Sequence, residues 1–408
     1  MKFKNRGFIP VLLGGDINTY SMARAFYEAY EVKSYVFGKF PNGPSYKSKI
    51  TVYEANKNID RDDYFLSRIN DFADDHKDEK IILIGCGDSY VNLISRYKSR
   101  LKKNIIAPYI DFELMDMLQK KEEFYKLCEK HGVDYPKTLI YEREMGRNLD
   151  VEFEFPVILK PSDSIMYWEY PFEEQKKVFF IDSEKELFET VEKIYDAGYH
   201  STMIIQDTVP GNDENMRVLT SYSDRNGKVK MMCLGHVFLE EHTPKGIGNH
   251  AVIVTEPNRE LMKRVKELLE DLCYVGFSNF DIKFDRRDGK YKFFEINTRQ
   301  GRSNYYVTFS GFNLAKYIVE DYIENKEIAY GEAEEEFLWM TVPKNVALEN
   351  ITSDVNRTKV KDLISEGRVV NPIFKKGDFN IERWMRMMKN HLRQKGNFRT
   401  YYKNKNGV

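Results

Sequence analysis

The 408 residues carry 63 Lys and Arg against 64 Asp and Glu, with 42% hydrophobic and 14% aromatic residues. That balance excludes a disordered chain and a polycation built to condense on nucleic acid, and the length suffices for two or three lobes with a large buried core. No run of about 18 apolar residues is present, and the apolar stretch in MKFKNRGFIPVLLGGD is too short for a secretory signal, so a cytoplasmic protein is expected.

The N-terminal third alternates short apolar runs with helical patterns. Phe8 to Leu13 reads as a buried strand and Asn18 to Tyr30 as a helix, and Val32 to Phe37, Ile81 to Ile84 and Ile105 to Tyr109 read as further strands. This pattern predicts a parallel α/β domain whose strands end at a binding crevice. Asp88 is the expected N-cap of a helix running through Arg100. The turn Gly14-Gly15-Asp16 lies where a dinucleotide fingerprint would lie, but the GxGxxG spacing is absent. Its glycines, like Gly85 and Gly87, therefore read as steric relief rather than as a phosphate cradle. After Asp111 one long helical stretch, LMDMLQKKEEFYKLCEKHG, stops at Gly132.

From Phe155 the pattern changes to short strands and hairpins: PVILK, MIIQD, KMMCLGHVFL, NFDIKF and KFFEIN, with an amphipathic helix from Arg259 to Leu272. The segment from Arg368 onward holds eleven Lys and Arg against two Asp and Glu, interleaved with Phe374, Trp384, Phe398, Tyr401 and Tyr402. One reading of it is a helix, IERWMRMMKNHLRQ, whose Met and Trp positions pack on the body; another is attraction to an anionic surface, lipid or substrate. Cys86, Cys128, Cys233 and Cys273 form no CxxC pair and are expected as reduced thiols. No zinc site is expected from the histidines, although His236, His242 and His250 fall in one region.

The segment most informative about chemistry is FSNFDIKFDRRDGKYKFFEINTRQGR, residues 277 to 302, which reads as two strands joined at Asp288-Gly289. Alternation places Glu295, Asn297 and Arg299 on one face, with Phe294 and Ile296 on the other; on the partner strand Asp281 and Lys283 share a face. Such oxygen ligands suit Mg²⁺, which takes one or two carboxylates and completes its shell with water and phosphate. For Asp281 to face the same side as Glu295 the loop must be odd, and a three-residue loop Arg287-Asp288-Gly289 with Gly289 left-handed is the expected solution. Lys160 closes the apolar strand PVILK, where an ammonium either meets an anion or snorkels to water at the strand end. In MIIQDTVPGND, the strand Met203 to Gln206 runs into a Pro210-Gly211 turn able to offer backbone groups to an adenine edge, with Asp213 in reach of a ribose.

In their order and spacing, these pieces resemble the ATP-grasp superfamily of carboxylate-amine ligases over residues 8 to 325. The resemblance implies an α/β and α+β architecture. It would comprise a Rossmann-like domain over 1–118, one ATP-grasp lobe over 119–205, a second with the metal site over 206–330, and a basic helical segment over 331–408. It also implies ATP and Mg²⁺ as bound species. Lys121, with Lys120 as a rival, and Lys160 match the nucleotide lysines, Gln206, Asp207 and Val209 the adenine hinge, and Asp213 the ribose acid. Asp281, Glu295 and Asn297 match the metal ligands of the E-x-N-x-R motif that ends at Arg299, the implied catalytic residue. The loop SDSIMYWEYPF after Lys160 lacks the glycines with which many members close over phosphates. Within the superfamily, FIPVLLGGDINTYSMARAFYEAY, KPSDSIMYW, HTPKGIGNHAV and EINTRQGRSNYY resemble the D-aspartate ligase family of peptidoglycan synthesis. That implies D-aspartate as donor and the lysine amine of a nucleotide-linked muropeptide as acceptor, with the basic tail suited to the anionic precursor or to the membrane near which it is processed. A glycine-bearing segment from Glu240 to His250 reads either as a lid whose Lys245 reaches phosphate or as an ordinary hairpin. A ligase for another amino acid, a nucleotide-binding regulatory module without turnover and, last, a nucleic-acid-binding protein are the other readings.

Overall fold

Three sheets organise the chain in the computed structural model, which describes residues 3–147, 149, 153–176, 178–244 and 246–402. The first is built from β1 (Phe8–Leu13), α1 (Ile17–Tyr30), β2 (Ser34–Gly38), β3 (Thr51–Ala55), α2 (Asp62–Asp75), β4 (Lys80–Gly85), α3 (Asp88–Tyr97) and β5 (Ile105–Ile106). Its strand order is β3-β2-β1-β4-β5 and every pairing is parallel, so the order reverses between β1 and β4. A crevice opens at the carboxyl ends of strands at such a reversal. Gly14 has φ +137°, and a Cβ there would lie 2.5 Å from Thr19 Oγ1, which bears out the steric reading of that turn. The expected cap is corrected: Gly87 precedes α3 and Asp88 makes no capping bond, its carboxylate being engaged elsewhere. β3 carries little sequence signal, because the edge strand TVYEA buries only Thr51, whereas α2 buries Phe65, Ile69, Phe72 and Ala73 at i, i+4, i+7 and i+8, a helical pattern absent from the sequence reading.

The long helical stretch is two helices, α4 (Phe112–Gln119) and α5 (Lys121–Lys130), broken where Lys120 turns extended at ψ 115°. A second sheet, in the order β6-β9-β7-β8, is wholly antiparallel. It comprises β6 (Thr138–Tyr141), β7 (Val157–Pro161), α6 (Ser164–Glu169), β8 (Phe179–Ile181), α7 (Glu184–Asp196) and β9 (Met203–Asp207). Val157, Leu159, Met203 and Ile205 bury one face of it against Leu187, Val191 and Ile194 of α7.

The third sheet holds β10 (Met216–Ser223), β11 (Val229–Glu241), β12 (Asn249–Thr255), then after α8 (Arg259–Asp271) the hairpin β13 (Gly276–Asp285) and β14 (Lys290–Asn297). Two helices follow, α9 (Tyr305–Phe309) and α10 (Leu314–Tyr322). Beyond them β15 (Gly331–Glu332), β16 (Leu338–Met340), α11 (Lys344–Asn350), α12 (Asp354–Ser365), β17 (Val369–Val370) and α13 (Ile381–Tyr401) complete the chain, and the three strands join this same sheet. Its packing on the first sheet is continuous: one apolar cluster runs from Val11 and Leu83 to Phe124, Phe280 and Ile296, another from Leu12 and Tyr20 to Val218 and Tyr306. In α13, Met387 and Phe398 are buried as an ordinary packed face requires, but Trp384 and Met385 are 41% and 55% exposed, so only part of the Met and Trp set packs on the body.

The hairpin register departs from expectation in an instructive way. Asp281 does pair with Glu295, yet Asp285 pairs with Lys290, which leaves a four-residue loop, 286–289, in place of the three-residue one. An even loop would turn Asp281 to the wrong face, and a bulge at Phe294 restores the parity. Phe293, not Phe294, therefore takes the core position beside Ile296. Gly289 is left-handed as expected, at φ +71°.

Candidate active site

The site grows from one face of the β13–β14 hairpin. Asn297 Nδ2 donates to Asp281 Oδ2 at 3.2 Å, and Arg299, just beyond β14, donates to Asn297 Oδ1 at 3.2 Å. Arg299 also grips both oxygens of Asp88 at 2.6 and 2.9 Å, which ties the motif to the start of α3. At the start of α5, Lys121 Nζ lies 3.4 Å from Glu295 Oε2, whereas Lys120 points outward to Asp116 at 2.7 Å. The extended turn at Lys120 thus brings Lys121, and not its neighbour, to the acidic pair. Burial, and after it the nearby Glu295 carboxylate, push the Asp281 carboxyl up to about 7. Two carboxylates sharing a desolvated face leave a charge deficit that a cation relieves. Among the described residues no group of three or more His, Cys, Asp or Glu is placed to hold a metal. The set here is two carboxylates and an amide, the partial oxygen shell with which Mg²⁺ is held when phosphates complete it.

The second sheet supplies the opposite wall. Lys160 is buried and donates to Gln206 Oε1 at 2.9 Å, while Gln206 Nε2 donates to Tyr125 Oη at 2.9 Å and to Thr138 Oγ1 at 2.8 Å. Burying an ammonium is costly, and this network aims it instead of letting it escape to water. Beyond Gln206 the chain crosses between sheets. The Asp207 N–H donates to the Lys137 carbonyl at 2.9 Å and the Asp207 carboxylate is held by Arg287 at 2.6 and 3.1 Å. Val209 is buried, and the buried Thr208 hydroxyl between them has no hydrogen-bond partner among the described residues. A cavity of about 500 Å³ opens here, lined by Phe153, Phe155, Pro156, Thr208 and Pro210 among others. The walls are mixed, with Phe153, Phe155, Pro156 and Pro210 facing a charged rim that includes Lys137, Glu154, Asp207, Arg287 and Lys292, so the cavity offers both apolar surface and polar groups to a ligand.

Asp213 is already engaged. It accepts the Glu240 N–H at 2.9 Å and faces His242 Nε2 at 3.0 Å, and His242 in turn packs edge-on to Tyr402 at the end of α13. Burial, then Asp213 and Asp281, push the Glu240 carboxyl up to about 8, against the pull of Lys283. Glu240 thus feels the charges of Asp213, Asp281 and Lys283. Lys245, in the turn after β11, lies outside the described residues.

No family model matches the sequence. A D-aspartate ligase of Enterococcus faecium (strain Aus0004) is 43% identical over 396 residues, covering 94% of each chain. The chain belongs to the D-aspartate ligase family. Among solved structures, the L-amino acid ligase of Bacillus licheniformis matches with a TM-score of 0.54 at 13% identity, covering 78% of this chain and 75% of that one. The biotin carboxylase domain of the Hydrogenobacter thermophilus 2-oxoglutarate carboxylase, in complex with MgADP, matches with a TM-score of 0.57 at 15% identity, covering 79% and 71%. These likenesses carry the ATP-grasp fold.

Several residues of this ligase's site are absent from the sequence reading. Glu240 escapes because register irregularities between Val237 and Glu240 defeat the alternation from which its face would be read. Tyr125, Thr138 and Arg287 support Gln206 and Asp207 from distant parts of the chain, and no local pattern marks them. Asp88 has a local signal, a carboxylate at a strand-to-helix turn, but that signal points to a cap.

Proposed function

We propose that the protein joins the β-carboxylate of D-aspartate to the lysine side-chain amine of a nucleotide-linked muropeptide, with ATP converted to ADP and phosphate. The observation that carries this is the convergence of Lys121, Asp281, Glu295, Asn297 and Arg299 on one hairpin face, in a chain of this family. A carboxylate resists attack by an amine because its charge repels electrons and oxide is a poor leaving group. Its oxygen first attacks the γ-phosphorus of ATP in line, forming an acyl phosphate as the bond to ADP breaks. The neutral amine then attacks the acyl carbon, phosphate departs with the bonding pair, and the amine's proton passes to solvent or a nearby base.

Little covalent work falls to the protein, which positions groups and offsets charge. Lys121 and Lys160 would hold phosphates, Gln206 to Val209 and the adjoining cavity the adenine, and Asp213, oriented by His242 and the Glu240 N–H, the ribose. Asp281, Glu295 and Asn297 would hold Mg²⁺, which supplies neutralisation of phosphate charge. Arg299 would stabilise the oxygens of the transferring phosphoryl group.

The test is phosphate release from Mg-ATP, with D-aspartate, L-aspartate and other amino acids, each with and without a lysine-containing muropeptide. Release that needs D-aspartate and the muropeptide together, with the matching amide formed, supports the reading. Another productive pair changes the substrate, and tight Mg-ATP binding without turnover on any pair rejects ligation in favour of a regulatory module.

The outer face of α13 bears on where the reaction occurs. No helix among the described residues is long and apolar enough to cross a membrane. Ile381, Trp384, Met385 and Leu392 are exposed at helical spacing beside Lys389, Arg393 and Lys395, a composition that suits the surface of an anionic bilayer. Deleting residues 368 to 408 would not test this cleanly, because β17, Arg383, Met387 and Phe398 are built into the body. Exchanging Trp384, Met385 and Leu392 for Ser should abolish sedimentation with phosphatidylglycerol vesicles while leaving turnover on soluble substrate intact; unchanged sedimentation would reject a lipid role for this face.

A further inference from the structure

We infer that Arg302 anchors the α-carboxylate of the amino-acid donor, with Glu241 beside it to receive the α-ammonium. This rests on the reading of D-aspartate as donor. That molecule brings two carboxylates, one consumed as the acyl group and one retained, and the retained one needs a cation of its own. Lys121, Lys160 and Arg299 are committed to the nucleotide side.

Arg302 lies on the loop that joins β14 to α9, and the loop is fixed from both flanks. Gln300 Nε2 donates to Asn18 Oδ1 and to the Gly85 carbonyl, both at 3.1 Å, and Asn304 Nδ2 donates to the same Asn18 oxygen at 2.8 Å. Gln300 and Asn304 are fully buried. The backbone of Arg302 is thus held over the crevice between β1 and β4, on the same loop as Arg299. Its guanidinium is far less engaged than that of Arg299. Nη2 reaches Glu241 Oε1 at a long 3.4 Å, and Nη1 is buried with no hydrogen-bond partner among the described residues. An arginine carries five N–H donors in a planar fork matched to a carboxylate, and leaving a buried one unmade is unfavourable. A bound carboxylate in line with Nη1 would satisfy it.

The surroundings fit a zwitterion and not an isolated anion. Glu241 sits on β11 with its only described cation, Arg302, at the limit of contact, so an ammonium would find an acceptor there. The turn after β11 folds back over this point: a Cβ added to Gly246 would lie 2.5 Å from Glu241 Oε2. His250 of β12 lies alongside, its ring 3.4 Å from Ser303 Oγ.

The test pairs a change in the enzyme with a change in the donor. 3-Aminopropanoate is aspartate without its α-carboxylate. With a muropeptide acceptor, Arg302→Gln should lower kcat/KM for D-aspartate about 100-fold but that for 3-aminopropanoate less than about 3-fold, as expected for loss of one charge-assisted contact, with KM for ATP unchanged. Arg302→Lys should recover part of the loss, and equal losses on the two donors would overturn the assignment. Should 3-aminopropanoate turn over too slowly to follow, calorimetric binding of D-aspartate to the Mg-ADP complex decides: equal affinity in wild type and Arg302→Gln overturns it. Wild-type protein that releases no phosphate with D-aspartate would reject the donor itself, and this inference with it, a result distinct from either of the others.

Discussion

Arg299→Ala separates the chemical and structural roles of one side chain. The guanidinium donates to both Asp88 oxygens at 2.6 and 2.9 Å, to the Gln300 carbonyl at 3.2 Å and to Asn297 Oδ1 at 3.2 Å. Asp88 is 60% exposed while Arg299 is 15% exposed, so a carboxylate left alone by the substitution is taken up by water. The stability loss should therefore be about 1 kcal/mol, in the range of an exposed ion pair. On the proposed role, loss of this donor to the transferring phosphoryl group costs about 3 to 4 kcal/mol, roughly 10²- to 10³-fold in kcat. Turnover should thus collapse while urea denaturation changes little. Asp88→Asn is the control, because it leaves the contacts with Asn297 and Gln300; its kcat should fall no more than about 5-fold, the rate equivalent of about 1 kcal/mol. ADP release with D-aspartate and muropeptide gives the rates, and equilibrium binding gives Mg-ATP affinity. Arg299→Ala that keeps most of its kcat with ATP affinity intact would refute the assignment, as would an Asp88→Asn variant equally damaged.

Lys121→Ala should raise KM for ATP about 10- to 100-fold through loss of a charged contact, whereas Lys120→Ala, whose ammonium faces Asp116 in solvent, should stay within about 2-fold; the reverse order would exchange their roles. Arg383→Met removes the guanidinium 3.6 Å from the buried Asp378, whose carboxylate keeps Tyr20, Ser48 and the Lys49 N–H as donors. Stranding a buried charge should cost about 3 to 5 kcal/mol in urea denaturation, and a loss under about 1 kcal/mol would contradict that. Burial, and after it Arg302, lowers His250 to about 4. Because the unfolded imidazole takes a proton near 6.5 and the folded one does not, this stability is present above about 6.5 and is lost as pH falls toward 4. Wild type should therefore lose about 2 kcal/mol more than His250→Gln between pH 7 and pH 5; parallel profiles would show that His250 is not held neutral.

How far the site was legible follows the range of the signal. The face shared by Asp281 and Glu295 was readable because alternation on a strand is a local rule, whereas Met203–Asp207 was readable as a short apolar run and α8 from its helical apolar periodicity. The bulge at Phe294 was not. FF followed by EIN gives no cue for an extra residue, and only the demand that Phe293 and Ile296 share the core while Asp281 and Glu295 share the cleft reveals it. β3 was invisible because it buries only Thr51, while α2 had a legible face, Phe65, Ile69, Phe72 and Ala73, that went unread. The break at Lys120 was missed because both flanking helices continue one apolar periodicity, yet that break decides which lysine meets Glu295.

A deeper reason for partial legibility is that residues around the first sheet hold the loop that follows β14. Asp88 holds Arg299, and Asn18 holds both Gln300 and Asn304, across 211 to 286 residues of sequence. The loop carrying the arginines is thus keyed to the crevice between β1 and β4, the place where a parallel sheet of this order binds ligands. The third sheet alone would present Asp281 and Glu295, but it would not fix the loop that follows them. The glycines at 14 and 85 admit close packing at the strand ends, Gly14 against Thr19 and Cys86 and Gly85 against Val91 of α3. The first sheet thus fixes Arg299 and the loop after β14, and on the proposed reading it thereby sets where that arginine meets the transferring phosphoryl group.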